Sequence, residues 1–146
     1  MSLLIAGSEE LSESDSSMEP RELIQRALTI AVEKKGENTR VLDVASNLTI
    51  TDYFVLISVG NRRQAQAVCS SIDIEMKHSG VPKARIEGQR EGWWILMDFD
   101  VVIIHIFQTE AREYYDLDQL WADSTDLSET FVMEAKSRGD DPPSST

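Results

Sequence analysis

Apolar residues fall into short blocks with two distinct periods along the chain. Leu23, Ile24, Ala27, Leu28, Ala31 and Val32 recur at helical spacing, with Pro20 at a position suited to a first turn; this predicts a helix from Pro20 through Lys35, ended by Gly36. Thr39–Ala45 reads as a first strand around Val41 and Leu42. Tyr53–Val59 (YFVLISV) is a nearly continuous β-branched and apolar run, which predicts a strand buried on both faces. Gly60-Asn61 breaks it. Between Arg62 and His78, residues Ala65, Val68, Cys69, Ile72 and Met76 form one helical stripe that Gly80 and Pro82 end. Lys83–Glu87 and Trp93–Met97 predict two further strands. Val101–Phe107 (VVIIHIF), the most apolar run, predicts a fifth, joined to its predecessor by a tight turn at Asp98-Phe99-Asp100. Thr109 is expected to cap a last helix that runs through Tyr114-Tyr115 to Leu120-Trp121.

Helices interleaved with strands and a terminal hairpin imply an α/β fold: a single domain with one mixed sheet of about five strands, flanked by helices. The flanks lack such a period. Residues 1–18 are rich in Ser and Glu, and residues 123–146 are polar and end in GDDPPSST; both are expected to be disordered acidic tails around a domain spanning 19–122.

Charge sharpens this picture. The 146 residues carry 14 basic and 26 acidic side chains, a formal net charge of −12. A chain this acidic repels phosphate backbones, so sequence-specific nucleic-acid binding is not expected and a basic protein partner is. The balance is uneven: residues 20–90 sum to +3, whereas residues 91–122 sum to −6. The single cysteine, Cys69, cannot form an internal disulfide and suits a reducing interior. No apolar run approaches the roughly 20 residues of a membrane span. Residues 1–19, acidic and without a base, resemble neither a signal nor a transit peptide, so a cytoplasmic location is expected.

Candidate chemistry is sparse. His78, His105 and Cys69 lack metal-ligand spacing, so no metal and no cofactor is expected. Cys69 lies on an apolar stripe, where cysteine acts as a small hydrophobe. His105, in mid-strand, reads first as a hydrogen-bonded core or interface group, with titration near neutrality as its functional alternative. The enzymatic candidate is nucleotidyl transfer: Val59-Gly60-Asn61 followed by Asp73-x-Glu75 resembles that superfamily's turn and paired metal-binding carboxylates. Those carboxylates must share one side of a strand; here they lie in a predicted helix, where i and i+2 point apart. Asp98-x-Asp100 falls in a turn, where aspartate serves local needs. The chain is therefore read as a non-enzyme. Seven of its ten aromatic residues lie between 93 and 121. Trp93, Trp94, Phe99, Tyr114, Tyr115 and Trp121, set among Asp98, Asp100 and other acids, describe either a protein-binding patch for a basic partner or a lid on the core.

Residues 20–122 resemble the ribosomal silencing factor (Iojap-like) family. The matching pieces come in order: Leu42-Asp43-Val44; Thr51-Asp52-Tyr53-Phe54-Val55; Gly60 with Gln64 or Gln66; Glu87-Gly88 with Gly92-Trp93-Trp94-Ile95-Leu96-Met97-Asp98-Phe99; Val102-Ile103-Ile104-His105-Ile106-Phe107; and Arg112-x-Tyr114-Tyr115-x-Leu117-x-x-Leu120-Trp121. Each is weak alone; their order over about 100 residues is specific. The chain departs where the family has Tyr and then Gly-Asp: here stand Phe99, Asp100 and Val101, and without the glycine the turn is expected to shift.

The resemblance implies a nucleotidyltransferase-like fold without the active site. It implies binding to a large-subunit ribosomal protein, the one called "L fourteen", at the intersubunit face. Subunit joining and translation would be blocked there, and relatives in organelles assist large-subunit assembly. It carries Trp94, Asp98 and Phe99 into the interface with Tyr114 and Tyr115 near it; Asp100 follows in the same turn. It also implies a homodimer when the protein is free.

Overall fold

The computed structural model describes residues 18–45, 51–116, 119 and 122–131. The expected tail at 1–18 falls almost wholly outside the described residues, as do Leu120 and Trp121.

Three helices, α1 (Pro20–Glu33), α2 (Arg62–His78) and α3 (Thr109–Tyr115), accompany six strands: β1 (Glu37–Asp43), β2 (Tyr53–Val59), β3 (Arg85–Glu87), β4 (Trp94–Asp98), β5 (Val102–Gln108) and β6 (Thr125–Asp126). They form one mixed sheet in the order β3-β4-β5-β2-β1-β6. β2 and β5 pair in parallel, Tyr53 with Val102 through Val59 with Gln108, and the other pairs are antiparallel. The two central strands are the two longest apolar runs, because only strands covered on both faces must be apolar at successive positions. Among the described residues, no helix is long and apolar enough to cross a membrane.

α1 and α2 cover one face. Leu23, Ile24, Ala27 and Leu28 meet Ala65, Val68, Cys69, Ile72 and Met76 over Val41, Val55, Ile57, Ile95, Ile104 and Ile106. Arg26 ties the helices together, reaching Glu75 at 2.8 Å and Glu22 at 2.7 Å. α2 starts at Asn61, whose side chain accepts from the Gln64 amide at 2.8 Å, while Gln64 Oε1 accepts from the Gly60 amide at 2.7 Å. The pair forms a variant capping box. α1 ends sooner than its periodicity suggests: Val32 is 61% exposed, and Lys35, not Gly36, takes the left-handed conformation (φ 64°). Gly36 is needed for room, since a Cβ there would lie 2.9 Å from Ile57 Cγ2.

Two boundaries differ from expectation at the C-terminal end. Gln108, not Thr109, is the N-cap residue of α3; Thr109 is already helical and donates its hydroxyl to Val59 O at 3.3 Å. α3 closes at Asp116 (φ 52°). The fold also extends past residue 122. β6 pairs with β1, Arg40 clasps Asp126 (2.6 and 3.0 Å), Ser128 Oγ accepts from the Val41 amide, and Phe131 is buried in the main core. Thr125, Leu127 and Phe131 are isolated in a polar stretch and form no period, so no local pattern marks them as part of the fold.

At the β4–β5 turn, where the family has glycine, Asp100 takes the glycine-like conformation. Asp100 adopts φ 80° itself, and the Val101 amide donates to Phe99 O at 3.0 Å, a three-residue turn of the rare positive-φ kind. Asp98 Oδ1 holds it by accepting from the Asp100 amide at 2.8 Å. Asp100→Gly is expected to stabilise the protein by about 1 kcal/mol, the relief of left-handed strain outweighing the extra freedom of the unfolded chain. A midpoint in urea that fails to rise would show the turn unstrained.

Candidate functional site

Alternation along β4 sends Ile95 and Met97 into the helix-covered core and turns Trp94, Leu96 and Asp98 to the opposite face. That face carries the second core cluster: Leu42, Val44, Phe54, Leu56, Ile103, Phe107 and Ala111, with Trp94 and Leu96 half-buried at its border. The hairpin register pairs Trp94 with Phe107 and Leu96 with His105.

Trp94 is held by directional contacts. Its indole Nε1–H donates to His105 Nδ1 at 3.1 Å. Ring centroids lie 6.0 Å away at Phe107, 6.0 Å at His105 and 5.7 Å at Tyr115 of α3. Tyr114 crosses Tyr115 edge-on at 4.9 Å. Tyr115 is 46% exposed and Tyr114 78%, so a half-buried indole grades outward into exposed aromatic surface. Beside it Glu87, Gly88, Trp94 and Leu96 line an open cleft of about 320 Å³.

His105 lies beneath this cluster, edge-on to Phe54 at 4.7 Å. Burial pushes its pKa down to about 4, so it is neutral at pH 7; the first reading, a hydrogen-bonded core group, holds, and the alternative of titration near neutrality does not. Because Nδ1 accepts from Trp94, the ring proton resides on Nε2, which is buried without a hydrogen-bond partner. Arg112 contributes a support that the sequence reading does not foresee. It is buried, donates from Nη1 to Asn38 O and Ser58 Oγ at 2.7 Å each, and lies 5.4 Å over the Phe107 ring, bracing α3 and thereby Tyr115.

The six sequence-selected residues form two groups rather than one. Trp94, Tyr114 and Tyr115 are together. Asp98 shares their face but lies four residues along β4, roughly 13 Å away at strand rise, paired with Arg85 at 3.2 Å. Phe99 turns to the other face and packs against the helix-side core, and Asp100 is at the exposed hairpin tip. Trp93 lies just before β4 and is exposed.

The alternative chemistry finds no shared site. Asp73 pairs with Lys83 (3.3 Å) and Glu75 with Arg26 (2.8 Å), on different sides of α2. Among the described residues no group of three potential metal ligands occurs. Cys69 is buried, and burial pushes its thiol up to about 11, which leaves it unreactive.

A mixed sheet with α1 and α2 on one face, α3 on the other and a border of half-buried aromatic side chains defines a small α/β protein. The comparisons make this specific. The family model described as "Ribosomal silencing factor during starvation" matches residues 17–146, and the chain belongs to that family. It is 30% identical over 107 residues to the ribosomal silencing factor RsfS of Halalkalibacterium halodurans, covering 73% of this chain and 92% of that one. It is also 33% identical over 93 residues to the mouse protein named "Mitochondrial assembly of ribosomal large subunit protein 1", covering 60% of this chain and 41% of that one. A crystal structure of a Chromobacterium violaceum protein superposes with a TM-score of 0.69 at 28% identity, over 72% of this chain and 88% of that one.

Proposed function

We propose that the chain binds the large ribosomal subunit through the Trp94 face, docks on the basic ribosomal protein called "L fourteen", and represses translation by blocking subunit association. The observation that carries this is the construction around Trp94: an indole locked by His105 and graded outward through Tyr115 and Tyr114, within the segment of charge −6. Aromatic anchors among acids suit a basic protein surface. Asp98, on the same face, and Asp100, at the exposed hairpin tip, form the outer limit of that interface, whereas Phe99 packs against the helix-side core. In this reading the protein acts in the cytoplasm as a regulator rather than an enzyme, and forms a homodimer when not docked.

Co-sedimentation with separated ribosomal subunits tests the proposal. The wild-type chain is expected with the large subunit alone, and Trp94→Ala is expected to weaken docking by about 2 kcal/mol, close to thirty-fold, as for a central aromatic anchor. Wild-type affinity in the mutant would sink the assignment of the face. The name of the mouse relative supports a second reading, large-subunit assembly with the same surface. Adding the protein to mature subunits separates the two: a joining blocker lowers the yield of joined ribosomes, whereas an assembly factor leaves it unchanged.

A further inference from the structure

The chain's cations are not used alike. Arg26, Arg40, Lys83 and Arg85 are spent in ion pairs, and Arg112 is buried in internal bonds. Lys34, Lys35, Arg62, Arg63 and Arg90 are all exposed, and none has an ion pair among the described residues. They come from three separate segments, yet lie at one end of the molecule. Gln64 Nε2 donates to the carbonyls of Lys34 and Lys35 at 2.8 and 3.0 Å. Gln66 Nε2 donates to the carbonyls of Gln89 and Arg90 at 3.0 Å each. Gly92 is buried against Arg62, whose carbonyl a Cβ there would approach to 3.1 Å. The end of α1 and the β3–β4 loop are thus fastened to the first turns of α2, where Arg62 and Arg63 stand. Four exposed carboxylates, Glu33, Glu37, Glu87 and Glu91, adjoin the five cations, so this end is still net positive in a chain of charge −12.

We infer that this end is a phosphate-contacting surface for structured RNA, used beside the aromatic face. The inference rests on the reading that the chain docks on the large subunit, where the surface flanking a ribosomal protein is RNA. The Arg90 loop leads within four residues to Trp94, so one docking event presents both surfaces. Exposed arginines without partners release counterions when they meet phosphates, and lysines act there as point charges. The overall acidity then has a use. It keeps affinity for RNA at large weak, so that the cationic end contributes most where the aromatic face has already docked.

The test is fluorescence anisotropy with a labelled A-form RNA hairpin at low salt. It compares the full chain with the variant Lys34→Gln, Arg63→Gln, Arg90→Gln. Arg62 is left intact because Gly92 packs on it. The wild type is expected to bind weakly, with the variant at least ten-fold weaker and its salt slope lower by about 2 to 3, one per lost phosphate contact. Absent binding by the wild type, equal binding by the variant, or displacement of the hairpin by polyglutamate at equal charge would each overturn the inference; the last would reassign the surface to an acidic peptide. Because the hairpin assay needs no ribosomal protein, its outcome is independent of the Trp94→Ala co-sedimentation, which tests the docking reading itself.

Discussion

Gly88→Ala is expected to destabilise the protein by about 3 kcal/mol or more and to disturb the proposed docking face with it. Gly88 has φ 79°, a conformation that L side chains rarely adopt, and a Cβ there would lie 2.3 Å from the carbonyl oxygen of Trp94 and 3.3 Å from its carbonyl carbon. The obstacle is backbone, so no rotamer change relieves it; either the β3–β4 loop or the start of β4 must move. Both moves disturb Trp94, since the loop is closed by the Gly92 amide on Gly88 O at 2.9 Å and the strand carries the indole itself. Gly60→Ala is the control: its φ is ordinary and the nearest neighbour is a flexible Gln64 Oε1 at 3.4 Å, so a change within about 1 kcal/mol is expected. Urea unfolding of the two variants checks this, and a Gly88→Ala protein as stable as the wild type would show that the loop yields freely.

The same position shows what the sequence could carry. Glu87-Gly88 stood out as part of a motif, but its role against Trp94 O depends on how the loop returns, which no local pattern encodes. The elements with strong periods were legible. The stripe of α2 is buried residue for residue, and the two continuous apolar runs became the paired central strands. The nucleotidyltransferase-like carboxylates were rightly placed on a helix, and their separate ion pairs follow from that placement. What escaped was cross-chain. β6 has only two residues and is fixed by Arg40 and Ser128 rather than by propensity. Phe99 was grouped with Trp94 because both are aromatic and near in sequence, yet positions of opposite parity face opposite sides of the sheet. Parity also offered the missed signal: with a short turn between β4 and β5, Trp94, His105 and Phe107 had to share a face, and the tryptophan–histidine bond follows from that register.

Stability is expected to fall by about 2 kcal/mol between pH 7.5 and pH 5 through His105 alone, approaching roughly 3 kcal/mol near pH 4, from the usual worth of a pKa shift. The sign follows from the direction of the shift. Burial lowers the folded-state pKa from the ordinary 6.5 to about 4, so between these values the unfolded chain binds a proton that the native protein refuses. Unfolding is favoured progressively as pH drops through that window, and the effect is absent above about pH 7. Ion-paired carboxylates protonate mostly below pH 5, so the interval from 7.5 to 5 isolates the histidine. His105→Asn is the informative variant: its amide oxygen can accept from Trp94 Nε1 much as Nδ1 does, and it cannot titrate. Its urea midpoint should stay nearly level across the interval where the wild type falls, and a parallel decline in both proteins would assign the acid sensitivity elsewhere. Protonation has a local consequence as well. An imidazolium has no free lone pair at Nδ1, so the bond from the Trp94 indole at 3.1 Å is lost on charging, and two donors then face each other in a low-dielectric site. The native protein therefore holds its tryptophan anchor only while His105 is neutral. Indole fluorescence of the native wild type should change only as pH falls through about 4, below most of the window in which stability is lost, and that of His105→Asn should not change there.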